Sequence, residues 1–303
     1  MKQIFLTTLM LLAATAGAIA QNDIIIGQYI HNQFAVNPAF AGSREGLTLF
    51  GSYRKQWTGI ENTPTSILLD GHAPLKNDKI TLGLSLYYQT IHQSTNAGAQ
   101  LSVGYRTKVT DKSWLSFALQ PGVSLRSTNW QKVSTTTAGD GAFAEKESSA
   151  APLLGFGVAW YGKKFFIGVS CISFFVSDDF DQRDAEFSPA DATYTATAGY
   201  LFSLGSDFKL QPSALASYNQ QYDITADGTL SLIYKRFLWI DVAYRTNGEA
   251  IGGLAVQALK QLRIAYNYEF TIGDLNGYNS GSHEISLQYD FVYKVKATGP
   301  KFY

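Results

Sequence analysis

Apolar and polar residues alternate along most of this chain with a period of two, which is typical of β-strands. The clearest example is a pair of runs, 262–270 and 284–291, separated by a turn rich in Gly, Asn and Asp. Each run has one face that is wholly apolar or aromatic and one face that is polar. Together they predict a β-hairpin whose two faces meet different surroundings.

The same alternation continues from about residue 46 and predicts about fourteen strands. Most are near the length of about 9–11 residues that a tilted membrane-spanning strand needs. The odd-numbered connections between them are mostly long and the even-numbered ones are all short, as in bacterial barrels with short periplasmic turns and longer extracellular loops. We therefore predict an all-β fold, a transmembrane antiparallel up-and-down β-barrel with its apolar face in lipid. The strands are expected near 46–55, 65–73, 79–89, 97–108, 113–126, 150–160, 164–172, 193–202, 208–218, 227–234, 237–245, 250–258, 261–270 and 282–293.

The composition suits a surface that faces something other than water. Charged residues make up 16% of the chain, against about 25% in a typical soluble domain. Aromatic residues make up 14%, and the 24 basic residues balance the 24 acidic ones. A formal charge of zero offers no basic field to attract nucleic acid, so we expect no nucleic-acid partner.

The first residues predict export. Lys2 precedes an apolar run from Ile4 to about Ala16, and Ala18-Ile19-Ala20 matches a signal-peptidase site. No later run reaches 18 apolar residues, so no spanning helix is expected. We predict a signal peptide (1–20), an N-terminal periplasmic or plug segment (21–45), an outer-membrane barrel (46–293) and a C-terminal tail (294–303), in the outer membrane of a Gram-negative bacterium.

No motif for catalysis or metal binding is present in the sequence. The four histidines are scattered without an HExxH spacing, and no G-x-S-x-G elbow is found. The single cysteine, Cys171, is expected to pack as a small apolar residue in its strand. We predict no catalytic residue, cofactor or metal site, and no enzyme activity.

Alternation places ten charged residues of both signs on the lumen side: Arg54, Arg106, Lys108, Arg126, Asp241, Arg245, Arg263, Glu269, Glu284 and Asp290. They are compatible with a lumen filled by salt bridges or with a selective pore. Mixed signs favour the filled lumen, since they suit pairing better than selection of one ion. Four of them, Arg263, Glu269, Glu284 and Asp290, are predicted to form a charge cluster near the seam where the last strand meets the first. Aromatics near strand ends, among them Trp114, Trp160, Tyr161, Tyr200 and Trp239, are expected in the interfacial girdles.

Motifs at both ends of the chain resemble the PorP/SprF family of type IX secretion membrane proteins. The N-terminal motif consists of Gln28-Tyr29, Asn32-Gln33, Asn37-Pro38-Ala39-Phe40-Ala41-Gly42-Ser43, Tyr53-Arg54-Lys55-Gln56-Trp57, Gly59 and Pro64-Thr65. The C-terminal motif consists of Tyr244-Arg245, Arg263-Ile264-Ala265-Tyr266-Asn267-Tyr268 and Gly281-Ser282-His283-Glu284-Ile285. The resemblance implies an outer-membrane barrel of the type IX secretion and gliding machinery. It also implies that the barrel assists secretion or surface anchoring of a cargo adhesin with a type B C-terminal domain, and that periplasmic ring components are further partners.

The N-terminal segment contains Phe34, Val36 and Phe40, which must be buried somewhere. We expect it to pack into or under the barrel mouth, although a simple latch on the first strand fits the sequence equally well. The residues expected to bind a partner or form a plug are Asn37, Pro38, Phe40, Gly42, Arg54, Gln56 and Trp57. The alternative function is a passive outer-membrane pore for small polar solutes.

Overall fold

The computed structural model describes residue 27 and residues 29–44, 46–75, 78–130, 146–172, 192–220, 223–272 and 277–291. The predicted signal peptide (1–20) and C-terminal tail (294–303) lie outside these residues. The strands are β1 (Thr48–Lys55), β2 (Thr65–Pro74), β3 (Ile80–Ile91), β4 (Ser94–Thr110), β5 (Ser113–Asn129), β6 (Lys146–Gly162), β7 (Phe165–Ile172), β8 (Thr193–Tyr200), β9 (Phe202–Leu204), β10 (Phe208–Asn219), β11 (Asp223–Tyr234), β12 (Leu238–Arg245), β13 (Glu249–Gln257), β14 (Leu262–Thr271) and β15 (Ser282–Asp290).

Antiparallel pairing of sequence neighbours closes these strands into one barrel. β8 and β9 both pair with β10 and are two parts of a single wall strand, interrupted at Leu201. The last strand returns to the first, with Thr48 opposite Asp290 and Lys55 opposite His283. The described residues therefore form a closed fourteen-stranded barrel, which confirms the predicted fold class.

The wall separates apolar from polar side chains as the alternation predicts. On β3, the outward-facing Leu82, Leu84 and Leu86 are between 38% and 46% exposed, whereas Thr81 and Ser85 on the other face are buried. All strands from β2 to β5 repeat this pattern. Exposed leucines and buried hydroxyls are the reverse of a soluble protein, and fit a barrel with lipid outside and a polar lumen inside.

The two ends of the barrel differ, and we call them the turn end and the loop end. Connections at the turn end are all short: 75–79, 111–112, 163–164, 205–207, 235–237 and 258–261. Those at the loop end are less uniformly long than predicted, because β3 and β4 stay paired up to Ile91 and Ser94. β4, β5 and β6 have 17 residues each. That length exceeds the span of a bilayer, so these strands project beyond the membrane at the loop end.

The prediction for three girdle aromatics is wrong. Their position near strand ends predicts the lipid interface for Trp114, Tyr161 and Trp239, but all three are buried inside the barrel. Strand parity, not distance from the strand end, decides the face of a side chain. Trp160 and Tyr200 have the opposite parity and do face outward.

Besides the strands, the described residues contain two short 3₁₀ turns, η1 (Gln33–Ala35) and η2 (Pro38–Phe40), both ahead of β1. Among the same residues, no helix is long and apolar enough to cross a membrane.

The lipid-facing assignment predicts a depth-dependent cost for charge on β5. Leu119 and Leu125 share its outward face, with Leu119 nearer the middle of the bilayer and Leu125 near the loop end. We expect Leu119→Arg to lower the unfolding free energy by about 2–4 kcal/mol and Leu125→Arg by about 0–1 kcal/mol. Denaturant titration of the barrel in liposomes measures both values. Equal costs at the two sites would contradict the placement of the membrane on β5.

Candidate functional site: the occupied lumen

The chain ahead of β1 runs through the interior of the barrel. We call this part, Gly27 and residues 29–44, the lumen segment. Near the loop end the Gly27 amide donates to Glu284 Oε2 at 2.7 Å, and near the turn end Arg44 Nη1 lies 3.3 Å from Asp290 Oδ2. Both partners are on β15, close to its two ends. The lumen segment therefore crosses the lumen along the barrel axis.

Polar side chains tie the middle of the lumen segment to opposite walls. His31 Nε2 lies 2.9 Å from Asp241 Oδ2 of β12, and Asn32 Nδ2 donates to Asp70 Oδ2 of β2. All four side chains are buried. A buried polar group without a partner costs free energy, so these bonds fix where the segment lies between β2 and β12.

Asn37 joins the lumen segment to β6 and β7. Its side-chain oxygen accepts from the Ala39 amide and starts η2, while its Nδ2 donates to the carbonyls of Val158 (3.2 Å) and Val169 (3.1 Å). Pro38 occupies the first position of η2, where its missing N–H is not needed. This accounts for Asn and Pro being adjacent in the N-terminal motif.

Glycines in the wall make room for this contact. A Cβ atom at Gly157 would lie 3.1 Å from Cδ of Pro38, and one at Gly168 would lie 2.7 Å from Nδ2 of Asn37. At Gly83 of β3, a Cβ atom would lie 2.5 Å from Cζ of Phe34. The wall and the lumen segment are therefore complementary in shape at both contacts.

Phe40 anchors the turn end of the lumen segment. Its ring packs 5.8 Å from that of Tyr161 and 6.1 Å from that of Phe166, measured between centroids. Trp114 belongs to the same buried cluster. Phe34, Val36 and Phe40 are all buried, as their apolar character required. The lumen segment thus has an apolar core of its own within the polar lumen.

Gly42 ends the lumen segment with a sharp turn toward β1. Its φ of +65° is in the left-handed region, and a Cβ atom there would lie 2.9 Å from the Pro74 nitrogen. Its amide donates to His72 Nδ1 at 3.1 Å, and its carbonyl accepts from Arg106. Arg106 Nε donates in turn to the Asp78 carbonyl at 2.7 Å. Only glycine fits this position without displacing the wall.

Arg54 organises the charges near the loop end. Its guanidinium makes an ion pair with Glu269 through two N–H bonds and lies 3.5 Å from Glu284. With its amide turned to accept, Gln56 lies 3.1 Å from Nε and Nη2 of Arg54. Because Gly27 donates to Glu284, the lumen segment takes part in this network.

A second arginine network lies nearby on β11, β12 and β13. Arg245 bonds to Asp227 at 2.8 and 3.0 Å and to Glu249 at 2.7 Å. Sequence reasoning identified Arg245 but not its two carboxylate partners. Asp227 and Glu249 lie at the boundaries of predicted strands, where alternation does not assign a side chain to either face. Because a buried arginine needs an anionic partner, Arg245 itself indicates that acidic side chains lie close to it.

The four residues predicted as one charge cluster lie in two places. Glu269 and Glu284 share Arg54 near the loop end, as described above. Asp290 lies at the turn end, where Thr48 Oγ1 donates to it at 2.8 Å, and Arg263 stacks 4.0 Å over the Trp239 ring.

Trp57 lies in the loop after β1, where its backbone amide donates to Ser282 Oγ at 3.2 Å. Of the seven residues assigned to the plug, four lie in the lumen segment (Asn37, Pro38, Phe40 and Gly42), Arg54 lies on β1, and Gln56 and Trp57 follow β1.

Within the described part of the chain, no group of three or more His, Cys, Asp or Glu side chains is placed to hold a metal ion. Cys171 is a free, buried thiol on β7.

A closed barrel with an apolar exterior and a polar interior defines a membrane β-barrel of the outer-membrane class. The chain belongs to the family described as type IX secretion system membrane protein PorP/SprF, whose model matches residues 18–289. Family and fold are those of a secretion-related membrane protein. In such barrels the short turns lie in the periplasm, so the turn end is the periplasmic end.

Two solved transporter structures are similar to this chain. The toluene transporter TbuX of Ralstonia pickettii matches with a TM-score of 0.53 and 10% identity, over 88% of this chain and 94% of its own. The toluene transporter TodX of Pseudomonas putida matches with a TM-score of 0.48 and 11% identity, over 85% of this chain and 91% of its own. Comparison with curated proteins gave no match. At 10% identity, the TbuX match supports the barrel architecture alone.

The Arg54 network predicts a large stability effect. Arg54→Gln leaves the Glu269 and Glu284 carboxylates buried without their cation, so we expect the unfolding free energy to fall by about 3–5 kcal/mol. Denaturant titration followed by the gel shift of the folded barrel measures it. Adding Glu269→Gln to the Arg54→Gln variant should restore part of the loss.

The matched control for Arg54 is Lys235→Gln, which removes the exposed ion pair between Lys235 and Asp207. Because water screens such a pair, this substitution should leave stability nearly unchanged. Equal effects of the two substitutions would show that the Arg54 network does not hold the barrel together.

Proposed function

We propose that this protein is a non-enzymatic outer-membrane component of the type IX secretion and gliding machinery. In this role it assists secretion or surface anchoring of a cargo adhesin with a type B C-terminal domain. The observation that carries the proposal is the occupied lumen, taken together with membership of the PorP/SprF family.

An occupied lumen argues against free diffusion of solutes. The lumen segment contacts β2, β6, β7, β12 and β15, and its apolar side chains Phe34 and Phe40 are almost fully buried. The charges around it are paired with one another, so few are available to a passing ion. A barrel of this kind is suited to holding proteins at the membrane, and less to conducting small molecules.

The two ends of the barrel suit different partners in this proposal. The long strands β4, β5 and β6 rise above the membrane at the loop end and offer backbone and side chains to a cargo domain at the cell surface. The turn end faces the periplasm, where ring components of the secretion apparatus would dock. The outward face between them contacts outer-membrane lipid.

The plug role predicts low conductance. The intact barrel should show little steady current in planar lipid bilayers, and deletion of residues 23–40 should open channels of several-fold higher conductance, because the lumen loses its filling. Gly83→Val is a milder variant, since its side chain collides with Phe34. Gly252→Val is the control, because a Cβ atom there has no neighbour within 4 Å.

Two results in the bilayer experiment would count against the plug. A steady open channel from the intact protein would favour the passive pore for small polar solutes. Unchanged current after the deletion would show that the lumen segment does not block the barrel.

The cargo role predicts a cell-surface phenotype. In a strain without this protein, an adhesin with a type B C-terminal domain should disappear from the surface and accumulate in the periplasm or in the medium. Whole-cell immunolabelling with fractionation distinguishes these locations, and complementation with the wild-type chain is the control. Normal surface labelling in the deletion strain, for every cargo of this type, would refute the proposed function.

A further inference from the structure

A small cavity of about 30 Å³ lies between the lumen segment and the barrel wall. Its lining includes Arg44 of the lumen segment and Thr48, Trp239, Arg263 and Gln288 of the wall. Thr48 is the first residue of β1, and Trp239 and Arg263 are the second residues of β12 and β14. At about 3.3 Å per residue, these side chains lie only a few ångströms inside the turn end.

Arg263 is the unusual residue of this cavity. Its side chain is buried, with 7% of its surface exposed, and its guanidinium lies 4.0 Å over the Trp239 ring. Its Nε donates to Gln257 Oε1 at 3.3 Å. Among the described residues, no carboxylate lies within ion-pair distance of it, unlike Arg54 and Arg245. A cation–π contact offsets only part of the cost of burying a guanidinium without an anion.

The nearby carboxylates are bound by other groups. Asp290 accepts from Arg44 at 3.3 Å, from Thr48 at 2.8 Å and from Gln288 Nε2 at 2.9 Å. Asp241 is held by His31 at 2.9 Å. Neither acid forms an ion pair with Arg263, although Asp290 lies on the neighbouring strand β15 and Asp241 on β12, two strands away.

Two further polar atoms of the lining have no partner among the described residues. They are the Nε1 donor of Trp239 and the Oε1 acceptor of Gln288, and both side chains are more than nine-tenths buried. A buried polar atom without a hydrogen bond costs free energy, so such atoms are rare unless a water molecule, an ion or a ligand bonds to them. Here a cation, a donor and an acceptor converge on one cavity.

We propose that this cavity binds the carboxylate of a peptide chain presented from the turn end. Arg263 forms an ion pair with the carboxylate, and Trp239 Nε1 donates a hydrogen bond to it. Gln288 Oε1 accepts a hydrogen bond from an N–H of the same peptide. A guanidinium fork matches a carboxylate in shape and charge. The peptide supplies either its C-terminal carboxylate or an acidic side chain. The site is independent of the proposed role in handling cargo.

Equilibrium dialysis of the full-length barrel in detergent micelles tests the site with three labelled tripeptides. These are acetyl-Ala-Ala-Ala with a free carboxylate, the same peptide as its amide, and acetyl-Ala-Glu-Ala amide. At least one of the two carboxylate peptides should bind ten-fold or more tightly than the neutral amide, and the tighter one identifies the source of the carboxylate. Equal binding of all three, or no binding, would overturn the proposal.

Substitutions connect the binding to the cavity. Arg263→Gln should weaken the carboxylate peptide at least ten-fold, whereas Arg126→Gln, at a lumen-side arginine of β5 far from the turn end, should leave it unchanged. If Arg263→Gln does not fold, Trp239→Phe decides, since it keeps a ring under the guanidinium and removes only the Nε1 donor. It should weaken binding about three-fold or more. Unchanged affinity in the folded variant would assign the binding elsewhere and overturn the proposal.

Discussion

A single layer of β-sheet separates two very different surroundings in this protein, and most of its structure depends on that constraint. The outer face meets hydrocarbon, so leucines and aromatics are exposed there. Every side chain of opposite parity is directed into a narrow lumen, where polar groups need partners. Alternation along each strand is therefore sufficient to form the lipid-facing surface. It also places polar groups in the lumen, and these need more hydrogen-bond partners than the wall alone provides.

The lumen segment provides many of these hydrogen-bond partners. Asn37 binds two wall carbonyls, His31 and Asn32 each bind a wall carboxylate, and the Gly27 amide binds Glu284. The apolar residues of the segment pack on aromatics of the wall and need no polar partner. Family motifs at both ends of the chain therefore coincide with contacts inside the barrel, since the first motif supplies the segment and the second supplies walls that hold it.

Period-two alternation was enough to predict the architecture, the lipid face and most of the lumen charges. It could not predict which charges form ion pairs, because that depends on the positions of residues on different strands along the barrel axis. Glu269 and Glu284 meet at Arg54, whereas Arg263 and Asp290, on the same two strands, lie at the other end. Trp114 and Tyr161 show a different error: their place near strand ends suggests lipid, whereas alternation along their own strands assigns them to the lumen, where they pack with Phe40.

The network around Arg54 also joins the two ends of the barrel wall. Arg54 on β1 stands directly opposite Glu284 on β15, and these strands are the first and the last to be made. Glu284 accepts from Gly27 as well, so the contact that seals the two ends of the sheet is also a contact of the lumen segment. The residues that close the cylinder therefore also hold the lumen segment in place.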